Sequence, residues 1–271
     1  MIKRNTFKLV VAGLLLCLSG CADPESSEPT PEASKRFLKL RGYDFNDRSF
    51  FAAAAAGDEL AVNGFFSAGI NPNARDEDGD TVLTAAAARG DLKIVKAVLR
   101  GGVDVNGKGR DNWTALLLAL EADRDDVAAN LMTQPGLDLK AETPNGMTAL
   151  MLAVWHKRAE PVKKLLQRGA DPNHQDKDGD TAVHGAAWLG SSDILETLLD
   201  AGADPNVKNK LGGTALMWAA SYGQDEVIAV LLKRGADPRI KDKDGVTAAG
   251  WARKNGHDDV AKLLREAEMK R

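Results

Sequence analysis

From Asp176 to Lys208 the apolar positions fall into two short groups, each at helical spacing. Val183, Ala186 and Ala187 share one face of a first segment, and Ile194, Leu195, Leu198 and Leu199 form the stripe of a second. Polar residues and glycines punctuate them. Gly179 sits in an acidic turn, Thr181 stands where a helix N-cap belongs, and Gly190 breaks the first helix. Ser191 or Ser192 is placed to cap the second, and Gly202 supplies a left-handed stop. Two short helices and a turn cannot bury both faces alone, so the unit needs neighbours. The next 33 residues, Asn209 to Lys241, repeat its punctuation almost position for position.

With Thr181 as marker, the equivalent positions are Arg48, Thr81, Thr114, Thr148, Thr181, Thr214 and Thr247, with steps of 33, 33, 34, 33, 33 and 33. The first unit is degenerate, with Arg48 for Thr and two phenylalanines before five alanines. Terminal units of a stacked array are expected to be atypical because one side faces water. Arg36 to Arg41 is placed to add a helical turn over that end. The middle departs in other ways. Asn112 replaces the turn glycine of the third unit, and Asp123 and Lys157 replace the inter-helix glycines of the third and fourth. The extra residue falls in Thr133-Gln134-Pro135, and Pro161 is expected to begin the fourth outer helix.

The pattern resembles the ankyrin repeat. The fifth unit carries the resemblance on Asp176, Gly179, Thr181, His184, Ala186, Ala187, Gly190, Leu198, Leu199, Gly202, Ala203, Asp204 and Asn206. It departs at Ala182, where the family often has proline; alanine forms helix well, so nothing is broken. The resemblance implies an all-α solenoid of about seven helix-turn-helix units with β-turn fingertips over residues 43–271. It also implies that His184 hydrogen-bonds between neighbouring loops.

The ends change the picture of where such an array works. Lys3, Arg4 and Lys8 precede an apolar run, Leu9 to Leu18, too short to span a bilayer as a helix. Leu18-Ser19-Gly20-Cys21 then resembles a bacterial lipobox; the alternative is a plain signal peptide, and export follows either way. The resemblance makes residues 1–20 a signal peptide and Cys21 the lipidated residue. Residues 21–42 then hold that cysteine, a Pro/Ser/Glu tether from Ala22 to Lys35, and the N-terminal cap. If extended, the tether reaches about 40 Å. Ala22 rather than Asp follows the cysteine, and the resemblance to lipoproteins of enteric bacteria then implies the outer rather than the inner membrane, with the array facing the periplasm.

Removing residues 1–20 takes away Lys3, Arg4 and Lys8 and no acid, so the formal charge moves from −3 to −6. Such a balance gives no general attraction to nucleic acid, and the only membrane contact expected is the lipid anchor. Cys17 leaves with the signal and Cys21 is acylated, so no disulfide framework remains. The turns DEDGD and DKDGD suggest calcium, but from Asp176 a glycine falls at the fourth place and Ala187 at the twelfth, which is not an EF-hand ligand set. His156, His174 and His257 lie far apart in repeat terms, and no catalytic or phosphate-cradling motif occurs. The expectation is a non-enzymatic protein without cofactor or metal.

Repeat position separates the large side chains. Trp218 and Trp251 fall where residues normally pack between helices. Trp155 and Trp188 fall at the end of the inner helix, Trp113 and Met147 on the turn just before the threonine, and His156, Leu189 and Tyr222 at the adjoining position. In ankyrin proteins these places face the concave groove and contact partners. Large apolar side chains along one exposed strip suit a binding surface; the alternative is packing against the next inner helix. The resemblance implies a protein-protein interaction module in the bacterial envelope with an unnamed protein partner. The alternatives are an immunity protein neutralising an envelope-targeted toxin, or an accessory factor of periplasmic peroxide defence.

Overall fold

The computed structural model describes residues 29–270; the expected signal peptide, residues 1–20, and the expected lipidation site Cys21 lie outside that range. Among the described residues there are fifteen α-helices and no strands. The only sheet-like pairings are isolated bridges beside the turns, as between Arg75 and Thr81 and between Glu142 and Thr148. The chain divides into two compact units, one through Leu137 and one from Asp138 onward.

The first unit opens with helix α1 (Pro31–Leu40), followed by the pairs α2 (Asp47–Ala55) and α3 (Glu59–Ser67), α4 (Val82–Arg89) and α5 (Leu92–Arg100), and α6 (Ala115–Glu121) and α7 (Asp125–Leu131). Helix α1 begins five residues before the expected turn and displaces the end of the tether. Thr30 caps it by accepting from the Ala33 N–H at 3.3 Å, Pro31 occupies a first-turn position that needs no N–H, and Lys35 pairs with Glu32 at 2.8 Å. The composition of a linker thus concealed the signals of a helix start. Phe37 and Leu38 are buried, and α1 packs on α3 across Gly64. A methyl there would lie 3.1 Å from Phe37 Cδ1. Phe50 and Phe65, fully buried with ring centroids 5.4 Å apart, fill the first pair.

The irregular middle keeps its register. Asp123 and Lys157 adopt the left-handed backbone of the glycines they replace, with φ of 57° and 54° against 80° at Gly90 and 69° at Gly190. Asn112 does the same at a fingertip, with φ of 64°. The extra residue is absorbed after α7, where the Thr133 and Gln134 amides donate back to the Asn130 and Leu131 carbonyls.

The second unit holds the pairs α8 (Ala149–Trp155) and α9 (Ala159–Gln167), α10 (Ala182–Leu189) and α11 (Ser192–Asp200), α12 (Ala215–Ser221) and α13 (Asp225–Lys233), and α14 (Ala248–Lys254) and α15 (Asp258–Lys270). Helix α9 starts at Ala159, two residues before Pro161, which falls within the first turn where its missing N–H costs nothing. Inner helix packs on inner helix and outer on outer. Val183, Leu195 and Leu198 are buried as the apolar pattern requires.

Two hydrogen-bond ladders tie successive repeats of this unit. Asn173 accepts from the Asp204 amide at 2.8 Å and donates to the Gly202 carbonyl at 3.2 Å. Asn206 makes the same pair of bonds one repeat on, to Asp237 at 2.7 Å and Gly235 at 3.1 Å. The fingers are joined backbone to backbone, Lys177 to Asn145, Lys210 to Asp178 and Lys243 to Leu211. Gly179 permits this approach: a methyl on it would lie 2.9 Å from the Lys210 nitrogen, and its φ is 79°.

Candidate functional site

The acidic turns use their carboxylates on their own backbone. Asp176 Oδ1 accepts from the Asp178 and Asp180 amides, both at 2.9 Å, and Asn209 Oδ1 binds Leu211 and Gly213 in the same way. These Asx turns give the fingers their shape. Among the described residues no group of three His, Cys, Asp or Glu side chains is arranged to hold a metal ion.

Behind the fingers His184 is buried. Its Nδ1 accepts from the Thr181 amide at 3.2 Å, and its Nε2 reaches the carbonyl of Gly213 in the next finger at 3.3 Å. This is the link between neighbouring loops expected of that residue. Burial pushes the imidazole pKa down against the pull of the Asp180 carboxylate. Burial also pushes Asp180 up, partly offset by a hydrogen bond from Asn209 at 2.9 Å. A neutral imidazole satisfies both contacts, donating from Nε2 and accepting at Nδ1.

On the inner-helix face of the second unit, three of the expected groove residues form a continuous row. The Trp155 and Trp188 ring centroids are 4.9 Å apart, and Tyr222 meets Trp188 edge-on at 6.0 Å. The row shifts by one position at its third member. Ser221 stands where the tryptophans stood, so Tyr222 supplies the ring and remains 49% exposed. Trp155 also lies over the next inner helix, since a methyl on Gly185 would stand 3.5 Å from its Cε2. Both tryptophans are half-buried, so they pack on a neighbour and still present surface. Met147, His156 and Leu189 are half-buried too, at the first finger of this unit and just after the two tryptophans. Trp113 belongs to the first unit, where it is half-buried and its carbonyl accepts from the Gly109 amide at 2.7 Å.

Trp218 and Trp251 depart from the sequence expectation of core. Both are half-buried, and each is held by a partner other than the next tryptophan. Trp218 stacks on Tyr222, with centroids 6.5 Å apart and planes inclined by 5°. Trp251 donates its indole N–H to Asp242 Oδ2 at 2.8 Å. Burial pushes the Asp242 carboxyl up, but the Val246 amide, the indole and the Asp244 amide outweigh it and hold the group below the usual range. Between the two indoles lies a half-open recess of about 140 Å³. Its lining includes Leu211, Met217, Trp218, Asp242 and Trp251, together with Asn209 and Ser221. One sequence signal pointed there. Leu211 is apolar at a fingertip position that elsewhere holds Asp78, Asp111, Asn145, Asp178 and Asp244.

In comparison with known families, the chain matches the model described as ankyrin repeats, in three copies, over residues 50–143, 131–209 and 183–271. Among solved structures it is similar to an ankyrin repeat domain from Acinetobacter baumannii AYE, at 32% identity and a TM-score of 0.64. That match covers 68% of this chain and 96% of the other. No curated protein matches the chain.

Proposed function

The chain belongs to the ankyrin-repeat family, and on that premise we propose that it is a non-enzymatic module that grips a protein partner on the inner-helix face of its second unit. Ankyrin repeats generally mediate protein-protein interaction. The observation that carries the reading is the row Trp155–Trp188–Tyr222, in which half-buried and exposed rings touch in sequence along one face. Rings held by their neighbours lose little freedom on binding and offer large apolar area, the usual composition of an interface hot spot.

The test uses wild-type protein and the Trp155→Ala and Trp188→Ala variants as bait against an envelope extract, with melting recorded on each. The expected result is a partner captured by wild type and lost from variants that remain folded. Undiminished capture by the folded variants would overturn the assignment.

The same proposal places the protein on the periplasmic face of the outer membrane, held by lipid on Cys21. The support is Leu18-Ser19-Gly20-Cys21 following a short apolar run with a basic start. Fatty-acid labelling of wild type and Cys21→Ser decides it: label should enter only wild type, and equal labelling or none in either removes the anchor.

A further inference from the structure

The recess between α12 and α14 specifies the chemistry of a partner more closely, on the premise that the inner-helix face is the binding face. Its walls are the side chains of Met217, Trp218, Trp251 and Leu211, the last 73% exposed at the mouth. Its one carboxylate, Asp242, is already engaged. Oδ1 accepts from the Asp244 and Val246 amides at 3.0 and 2.8 Å, and Oδ2 takes the Trp251 indole N–H at 2.8 Å. What the recess offers an incoming group is therefore mainly apolar surface. Its Trp218 wall stacks on Tyr222, so the recess adjoins the end of the aromatic row.

The residues next to the lining carry the opposite character. Lys210 and Lys243 flank Leu211 and Asp242 on the two fingers and are exposed. Neither ammonium group has an ion-pair partner among the described residues, and the Lys243 amide is bonded to the Leu211 carbonyl, which fixes the two fingers side by side. On the helix side Lys254 lies 4.6 Å from the Trp251 ring centroid. Leu211 takes the fingertip place that holds an acid in the neighbouring fingers, Asp178 and Asp244. Three lysines thus adjoin residues that line the apolar opening, Lys210 and Lys243 beside Leu211 and Asp242 and Lys254 over Trp251. Asp244 and Asp178, whose carbonyl accepts the Lys210 amide, are the finger acids beside them whose carboxylates close no Asx turn.

We propose that this recess seats one large apolar side chain, of phenylalanine or leucine size, from an extended partner segment whose flanking residues are acidic. The apolar walls remove the anchor from water, and the lysines pair with carboxylates on either side of it. Surface lysine-carboxylate pairs contribute little each, so they set preference while the anchor supplies most of the affinity.

The experiment titrates the mature protein with three short peptides and follows tryptophan fluorescence at low salt. One carries a single phenylalanine between glutamates, one has alanine for the phenylalanine, and one has lysines for the glutamates. Loss of the ring should weaken binding about tenfold or more. Exchange of glutamate for lysine should weaken it about threefold to tenfold, and added salt should erase that difference. Lys210→Glu with Lys243→Glu, both exposed positions, should reverse the charge preference while melting stays unchanged. Leu211→Glu should weaken the glutamate peptide. Equal binding of all three peptides, preference for lysine flanks by wild type, or no binding at all overturns the proposal. Trp155→Ala separates this claim from the broader one. It should leave peptide binding intact while abolishing partner capture; if capture depends on Trp155 and the peptides fail, only the recess assignment falls.

Discussion

The indoles of Trp155 and Trp188, one repeat apart, meet with ring centroids 4.9 Å apart and planes inclined by 55°. A tilted contact of this kind contributes about 0.5–1.5 kcal/mol beyond the area it buries. A double-mutant cycle with Trp155→Ala and Trp188→Ala, read by chemical denaturation, should return a coupling energy in that range. A coupling near zero would mean that the helices set the rings together without the rings holding each other.

Gly179 and Gly202 have similar backbones, φ of 79° and 89°, but different surroundings. A methyl on Gly202 meets nothing within 4 Å, whereas one on Gly179 meets the next finger. Gly202→Ala should cost about 1–2 kcal/mol from the left-handed backbone alone. Gly179→Ala should cost a further 1–3 kcal/mol, roughly the range for overpacking. Equal losses would show that the fingers separate freely.

Lys157 holds a left-handed conformation that glycine adopts without strain. Lys157→Gly should raise stability by about 0.5–1 kcal/mol, the strain relieved being reduced by the greater freedom of glycine in the unfolded chain. A fall in the denaturation midpoint would contradict this account of the fourth repeat.

His184 should make stability depend on pH. Its folded pKa lies below the ordinary value of about 6.5, so on acidification the unfolded chain takes up the proton first. Its contribution is complete above that value and is lost as pH falls toward the lowered folded one. Asp180, raised by burial, acts in the opposite sense at lower pH, because there the folded state binds the proton first. The denaturation midpoint should therefore decline as the pH is lowered through about 6.5, and His184→Gln should flatten that decline. An unchanged slope in the variant would show that another group titrates.

The repeat register was legible because its signals are local. Thr181, Gly190 and Gly202 each mark a helix boundary, and the Asn173 and Asn206 positions recur at the step where their side chains bridge. Helix α1 was only partly legible, since Thr30 and Pro31 serve a tether and a helix start equally well by composition. Its onset is decided by Phe37 and Leu38 packing on α3, a contact far along the chain. The juxtaposition of Trp155 and Trp188 followed from equal repeat positions. The recess did not, because Trp218 and Trp251 also hold equal positions and yet take different partners, Tyr222 in one case and Asp242 in the other. Repeat position fixes where a side chain starts; its nearest polar or aromatic neighbour fixes where it goes.

The asparagine bridge has a consequence for how such a gene can change length. Asn173 and Asn206 grip their successors through the same two atoms at the same sequence step. If recombination excised the codons for residues 174–206, Asn173 would find Asp237 and Gly235 at the offsets where Asp204 and Gly202 had been. The inherited text could lose or gain a paragraph without a broken sentence.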